Sequence, residues 1–223
     1  ENQVYICIQQ GKDTDGNPLN STDKPTGQTG GVVFSTNDGY AWKFLYSISA
    51  ASANKFMSAN FIPVKLQGAT TSASPAADVE QLYVQNAAVA GEIVGYEVLS
   101  RGDGYSATPT VTVIGDGTSA TAVATISGAQ VSRVEVNDNG GVYPLGSGYN
   151  NASITLSGGS PSTEAVIRPI FGPKAGLGAD PTIDLRATAV MFTVKPSGAQ
   201  GSDFIVGNDF RQVGLLRNPR VGK

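Results

Sequence analysis

The sequence predicts a mainly β protein, in which a β-sandwich-like base domain carries a small inserted β domain. Short segments alternate apolar and polar residues with period two, which is typical of strands with one buried face. The 223 residues include 28 glycines and 12 prolines, which supply many turns. A Gly-x-Gly-Tyr pattern occurs twice in the middle of the chain, which indicates an internal duplication.

The composition argues against several classes of function. The chain has no histidine, which excludes a His-based triad, a His general base and a His metal site. A single cysteine excludes an intrachain disulfide framework and a cysteine-cluster zinc site. A formal net charge of −3 disfavours nucleic-acid binding, and no apolar run approaches the ~20 residues that cross a bilayer. We therefore expect no metal, no cofactor, no nucleic acid and no membrane contact.

The N-terminal part is predicted to form a buried strand at residues 4–8, followed by turns over residues 11–31. Cys7 lies in that strand and is expected to be a small apolar core residue. Asp13 and Asp15 resemble the start of a calcium loop. Lys24, however, stands where an EF-hand needs a bidentate glutamate, so the sequence favours a solvated turn.

The strand predicted over residues 40–48 has the most informative local pattern. Alternate side chains of a strand point to opposite faces. One face therefore carries five apolar residues, namely Tyr40, Trp42, Phe44, Tyr46 and Ile48. This row is either a core face packed on a second sheet or, in part, a subunit interface, where tyrosine and tryptophan are enriched.

Three short elements are predicted next. Ser49 is a candidate N-cap for a helix over residues 50–56. Residues 61–64 indicate an edge strand, because Pro63 interrupts the apolar run. Residues 76–88 are compatible with a helix or a strand, and we favour the helix.

The middle of the chain contains two similar copies of about three strands each. The predicted strands of copy one are residues 91–98, 110–113 and 122–126, and those of copy two are residues 129–136, 153–156 and 165–167. The copies are offset by 38 residues at the first strand, 44 at the Gly-x-Gly-Tyr and 43 at the second strand. They are expected to form a small sandwich or barrel-like domain.

The two Gly-x-Gly-Tyr elements, which end at Tyr105 and Tyr149, are not phosphate-binding loops. No predicted helix follows them, and they lack the lysine and the serine or threonine of a P-loop. We expect the glycines to adopt positive φ at a corner of the chain, with each tyrosine ring covering the open end of a barrel.

The C-terminal part is predicted to return to the base domain. Residues 171–178 form an exit linker, and Asp180 caps a helix over residues 181–187. Residues 189–194 form a strand, and a final strand ends near Leu216. Arg211, which follows Phe210, is either a buried anchor or a surface charge, and the surface is the default for a lone arginine.

Two segments that flank the repeat resemble the baseplate wedge protein of T-even-type contractile-tailed phages, the product of their gene eight. They are Asp-Gly-Tyr-x-Trp-Lys-Phe-Leu-Tyr at residues 38–46 and Asn-Asp-Phe-Arg-Gln at residues 208–212. Gly-x-Gly-Tyr repeats also occur in relatives from marine and cyanobacterial phages. The family is usually longer at the N-terminus, and the chain opens without a methionine, so part of the native N-terminus is expected to be missing.

The resemblance implies a mostly β structural protein of the virion, located in the tail baseplate and assembled in the host cytoplasm. It implies a homodimer that binds other wedge subunits and has no enzymatic activity. The predicted base domain is residues 1–88 plus 169–223, and the inserted domain is residues 89–168. The candidate assembly or core-interface residues are Tyr40, Trp42, Phe44, Tyr46, Phe210 and Arg211.

Two other functions stay open at this point. A carbohydrate- or host-receptor-binding module of a phage tail would use aromatic residues on loops, and its candidates are Tyr105, Tyr143 and Tyr149. A glycoside hydrolase would need two carboxylates about 5–10 Å apart. The acidic residues are scattered, mostly in turns, and no pair stands out.

Overall fold

The structure is a computed structural model that describes residues 2–27, 31–68, 76–136, 142, 144–194 and 212–217. It is mainly β, with several small antiparallel sheets and, in these ranges, no closed barrel. The first half contains β1 (Asn2–Gln9), β2 (Val33–Ser35), β3 (Ala41–Ile48), α1 (Ala50–Phe56), α2 (Ala76–Asn86), β4 (Ile93–Ser100), β5 (Thr110–Gly115) and β6 (Thr118–Ala120). The second half contains β7 (Val123–Ser127), β8 (Gln130–Glu135), β9 (Leu145–Ser147), β10 (Ala152–Ser157), β11 (Val166–Phe171), α3 (Pro181–Asp184), β12 (Ala189–Val194) and β13 (Gln212–Arg217).

The base region, by which we mean the residues outside 93–171, is organised around β3. This strand is the centre of an antiparallel sheet with the order β1-β3-β2. Both of its faces are covered, because Phe44 on the aromatic face and Leu45 on the other are both fully buried. Leu45, Tyr46 and Ile48 form a core cluster with partly buried apolar residues of β1, α1 and α3's C-cap.

The predicted first strand is confirmed, but its burial is not. β1 is an edge strand of the sheet, and Cys7 is exposed. The prediction of a buried Cys7 is therefore wrong. A run of β-branched residues shows that a strand forms, yet only the strand order decides which strand lies at the edge, and here β3 takes the centre.

The two predicted helices are confirmed and the strand between them is not. The Ser49 hydroxyl oxygen accepts the Ser52 N–H at 3.2 Å and caps α1. Residues 61–64 form no strand, because side chains satisfy the backbone of this segment in place of a neighbouring strand. The Tyr46 hydroxyl donates to the Pro63 carbonyl at 2.8 Å, and the Gln81 amide donates to the Lys65 carbonyl at 2.6 Å.

Residues 93–171, which we call the repeat unit, contain all six predicted strands. The first strand of each copy pairs with the third strand of the other copy, so β4 pairs with β11 and β8 with β7. The two middle strands, β5 and β10, pair with each other. The copies therefore exchange strands, and a single core cluster contains residues of both.

The pairing follows a two-fold pseudosymmetry in detail. Gly95 of β4 pairs with Ile170 of β11, and Arg133 of β8 pairs with Thr125 of β7. Gly95 and Arg133 are therefore equivalent positions of the two first strands, 38 residues apart, and Thr125 and Ile170 are equivalent positions of the two third strands, 45 residues apart. Both ladders have an irregularity next to this pair. Thr112 pairs with Thr155, its own counterpart, so the axis passes between them.

The Gly-x-Gly-Tyr corners have the predicted backbone but a different role for the tyrosine. Gly102 and Gly146 have φ values of 63° and 73°, which confirms the positive φ. The rings of Tyr105 and Tyr149 are only 3% and 6% exposed and belong to the shared core. The expectation that they cover a barrel end is wrong, because the strand exchange places each ring between the two copies.

The C-terminal elements agree in part with the predictions. Asp180 caps α3 through the Thr182 N–H at 2.9 Å, but α3 ends at Asp184, short of the predicted residue 187. Arg186 has a φ of 53°, which no α-helix accommodates. The strand at 189–194 is confirmed as β12. None of the helices in the described ranges is long and apolar enough to span a membrane.

Candidate assembly surface

The base region contains an apolar groove of about 440 Å³. It lies between the end of β3, α1, the segment 61–65, the start of α2 and the ribbon formed by β12 and β13. Its apolar lining includes Ile48, Phe56, Phe61, Val64, Met191 and Leu215. At its rim, Lys65 and Asp78 form an ion pair at 3.0 Å, so the charge of each side chain is compensated within the groove.

Buried tyrosine and glutamine side chains fix the shape of this groove. The bonds from Tyr46 and Gln81 to the segment 61–65 hold that wall in place. Burial raises the pKa of Tyr46 to about 12, so its hydroxyl keeps its proton and stays a donor at neutral pH. The groove is therefore a preformed feature of the base region, because Tyr46 and Gln81 hold the segment 61–65 in place.

The ribbon of β12 and β13 has apolar residues on both faces. Met191 and Leu215 face the groove, and the Thr193 hydroxyl donates to the Lys55 carbonyl of α1 at 3.3 Å. The opposite face carries Val190 paired with Leu216, and Phe192 paired with Gly214, and Val190 also lines the groove. We call Val190, Phe192 and Leu216 the apolar strip; they are 50%, 49% and 54% exposed.

Gly214 is needed for the position of Phe192 in this strip. A Cβ atom added at Gly214 would lie 2.0 Å from the Phe192 Cζ atom, so the ring lies directly over the glycine backbone. The ring is thereby fixed against its own ribbon while about half of its surface faces solvent. An ordered, half-exposed aromatic ring flanked by aliphatic residues is typical of an interaction surface.

The structure separates the predicted site residues. Tyr40, Phe44 and Tyr46 are buried, whereas Trp42 is half-buried. Trp42 stacks on Tyr40 with ring centroids 5.5 Å apart, and its indole N–H donates to the Thr36 hydroxyl at 3.2 Å. Phe210 and Arg211 lie outside the described residues.

The tyrosines considered for sugar binding are not exposed platforms where the structure describes them. The hydroxyl of Tyr105 accepts the Ala165 N–H at 2.9 Å, and the hydroxyl of Tyr149 accepts the Ala120 N–H at 3.4 Å. Both rings are buried. Tyr143 lies outside the described residues.

Sequence reasoning missed the apolar strip and a buried lysine. The strand 189–194 is predicted from its apolar residues, and their run over consecutive positions also indicates that both faces of the strand need cover. Lys43 is 1% exposed although it lies in the middle of β3. A lysine inside an otherwise apolar strand is the signal that points to a buried charge.

In the described ranges, no group of three or more acidic, cysteine or histidine side chains is placed to hold a metal ion. Comparisons with protein-family models, curated proteins and solved structures found no match to this chain.

Proposed function

We propose that this protein is a structural subunit of a bacteriophage contractile-tail baseplate wedge, which acts by protein–protein assembly and not by catalysis. The proposal combines the sequence resemblance at residues 38–46 and 208–212 with the surface of the base region. It includes a homodimer that binds other wedge subunits in the virion. It also includes a domain division in which residues 89–168 are inserted into a sandwich-like base domain of residues 1–88 and 169–223.

The observation that carries the proposal is the apolar strip. A two-stranded ribbon is only marginally stable by itself and needs cover on its apolar faces. The face with Met191 and Leu215 turns toward the groove, although Leu215 is still 39% exposed, and on the other face Val190, Phe192 and Leu216 are each about half exposed. A protein partner that packs on this strip would bury it, as apolar residues at the centre of an interface are buried.

The test is co-expression of the chain with the products of the neighbouring reading frames of its genome. We expect a stable complex on gel filtration with light scattering. The double variant V190S/L216S should lose the complex and keep a folded chain by circular dichroism, because both side chains are half-exposed.

The matched control is Ile114→Ser, which removes an equally exposed apolar side chain from the repeat unit. This control should leave the complex intact. Failure to form a complex with any neighbouring product, or a complex that the strip variant retains, would count against the proposal.

A further inference from the structure

A buried lysine and two carboxyl groups lie near one another where the repeat unit joins the base region. Lys43 belongs to β3 and is 1% exposed, whereas Glu92 lies just before β4 and is 9% exposed. Asp184 is the last residue of α3 and is half-buried. Charges at such depth are costly unless opposite charges compensate them.

The chain enters and leaves the repeat unit at neighbouring positions. The Gly172 N–H donates to the Glu92 carbonyl at 2.9 Å. The exit segment, which we define as residues 172–180, then folds back over Lys43. A Cβ atom added at Gly178 would lie 3.4 Å from the Lys43 Cε atom, so the lysine side chain and the exit segment are in close contact.

The two carboxyl groups hold adjacent residues of the exit segment. Asp184 accepts the Gly178 N–H through Oδ2 at 2.7 Å. The Leu177 N–H is directed at the Glu92 carboxylate and lowers its pKa. The Glu92 Oε2 atom is buried and has no hydrogen-bond partner in the described part of the chain, so its charge depends on through-space compensation.

The electrostatic shifts agree with a mutually compensating cluster. Burial lowers the pKa of Lys43, and the charges of Glu92 and Asp184 oppose that shift. Burial raises the pKa of both carboxyl groups, and the charge of Lys43 opposes it. Asp180, at the N-cap of α3, adds to the rise at Asp184.

Among the described residues, the charges that act on Lys43 are those of Glu92 and Asp184. From α2, Gln81 and Val84 are buried and neutral. Asp78 of α2 is paired with Lys65. Glu80 is the remaining acidic residue of α2, and it is not among the charges that act on Lys43.

We propose that Lys43, Glu92 and Asp184 form a charge lock that fixes the exit segment, and with it the repeat unit, on the base region. The ammonium group allows both carboxylates to stay ionised while they hold Leu177 and Gly178. Removal of the ammonium leaves a buried and a half-buried carboxylate without their compensating charge, which is relieved by protonation or by release of the exit segment. This inference concerns the junction alone and does not depend on the proposed function.

The test is Lys43→Met in the full chain, followed by hydrogen exchange at the Leu177 and Gly178 amides. Because Lys43 lowers the pKa of both carboxyl groups, its removal raises both pKa values, and the carboxyl groups of the variant take up protons at a higher pH than those of the wild type. We expect protection to fall about tenfold or more near pH 8 and to recover near pH 5, where both groups take up protons. The triple variant K43M/E92Q/D184N, which is neutral, should be protected at both pH values.

The control is Lys65→Met, which removes an exposed lysine of the groove rim and should not change exchange at the exit segment. Equal loss of protection at both pH values would indicate a packing defect and would overturn the lock, as would full protection of K43M near pH 8. If K43M is unfolded near pH 8, refolding near pH 5 supports the lock, and an unfolded chain at both values overturns it.

Discussion

The two copies of the repeat unit have the same backbone arrangement, but their surroundings differ. Glu97 of β4 and Glu135 of β8 are counterparts, since they lie 38 residues apart in the paired first strands. Glu97 is exposed and pairs with the exposed Arg168. Glu135 is buried and contacts Arg133 at 3.3 Å. Equivalent positions thus carry the same residue type in opposite environments.

Contact with the base region explains the difference. The Arg133 guanidinium donates to the Lys12 carbonyl at 2.8 Å, and the Val136 N–H donates to the Gln9 side-chain oxygen at 2.8 Å. The turn after β1 therefore packs on copy two. Features shared by both copies follow from local chemistry, namely glycine corners and alternating residues, whereas features that differ follow from docking.

The largest loss of stability is expected from substitutions at the two glycine corners, and it should be equal at both. A Cβ atom at Gly102 would lie 2.5 Å from the Thr163 carbonyl oxygen, and one at Gly146 would lie 2.6 Å from that of Thr118. Gly102→Ala and Gly146→Ala should each lower the free energy of unfolding by about 2–4 kcal/mol, from positive φ and from the backbone clash. Urea unfolding measures both values.

The control for the corners is Gly128→Ala. Gly128 also has positive φ, at 59°, but nothing lies within 4 Å of its added Cβ atom. This variant should lower the free energy of unfolding by only about 1–2 kcal/mol, which is the cost of the positive φ without a clash. A cost at one corner that matches Gly128 would break the symmetry argument.

The next effect distinguishes the two tyrosines. Tyr105→Phe leaves the Ala165 N–H without its 2.9 Å acceptor and should cost about 1–2 kcal/mol. Tyr149→Phe should cost less, because its bond from the Ala120 N–H is longer, at 3.4 Å. Thermal unfolding of both variants checks the order, and Tyr83→Phe, at an exposed residue of α2, should have almost no effect. The reverse order would contradict the geometry.

The comparison of the two copies also indicates which features of the fold can be predicted from the sequence. The six strands and the positive φ at both corners follow from alternation and glycine placement, which are local. The strand exchange does not, because the same strands could pair within each copy. The burial of Glu135 and Lys43 depends on which segment packs over each strand, and no local pattern encodes that. The edge position of Cys7 has the same cause.

The candidate assembly surface was predictable only in part. The ribbon strand at 189–194 follows from its apolar run. Which of its faces turns toward the base region depends on tertiary contacts, and the run does not encode them. The aromatic row at 40–48 was correctly placed on a strand. Its alternation alone does not show that Phe44 is fully enclosed while Trp42 is half-exposed.

The smallest expected effect concerns how Glu135 and Glu97 change the pH dependence of the free energy of unfolding. Burial raises the pKa of Glu135, and the charges of Arg133 and Lys12 oppose the rise. The folded state therefore holds this proton to higher pH than the unfolded chain. Stability from this group is complete below the unfolded pKa of about 4.3 and is lost as pH rises through the higher folded value. Glu135→Gln should flatten that decline in urea unfolding at a series of pH values.

Glu97→Gln is the control at the equivalent exposed position. It should change the free energy of unfolding by less than about 0.5 kcal/mol at any pH, since exposed ion pairs contribute little. Identical pH curves for the two variants would show that docking does not distinguish the copies.

The exchange of strands also limits how the duplication can grow. Each copy pairs its first and third strands with strands of the other copy, so in the described part of the chain each of these four strands has its partner within the pair. A third copy would have no other copy with which to pair its first and third strands, and a single copy would have to pair them with a copy in a second molecule. Lengthening of this protein by tandem repeats is therefore expected in pairs.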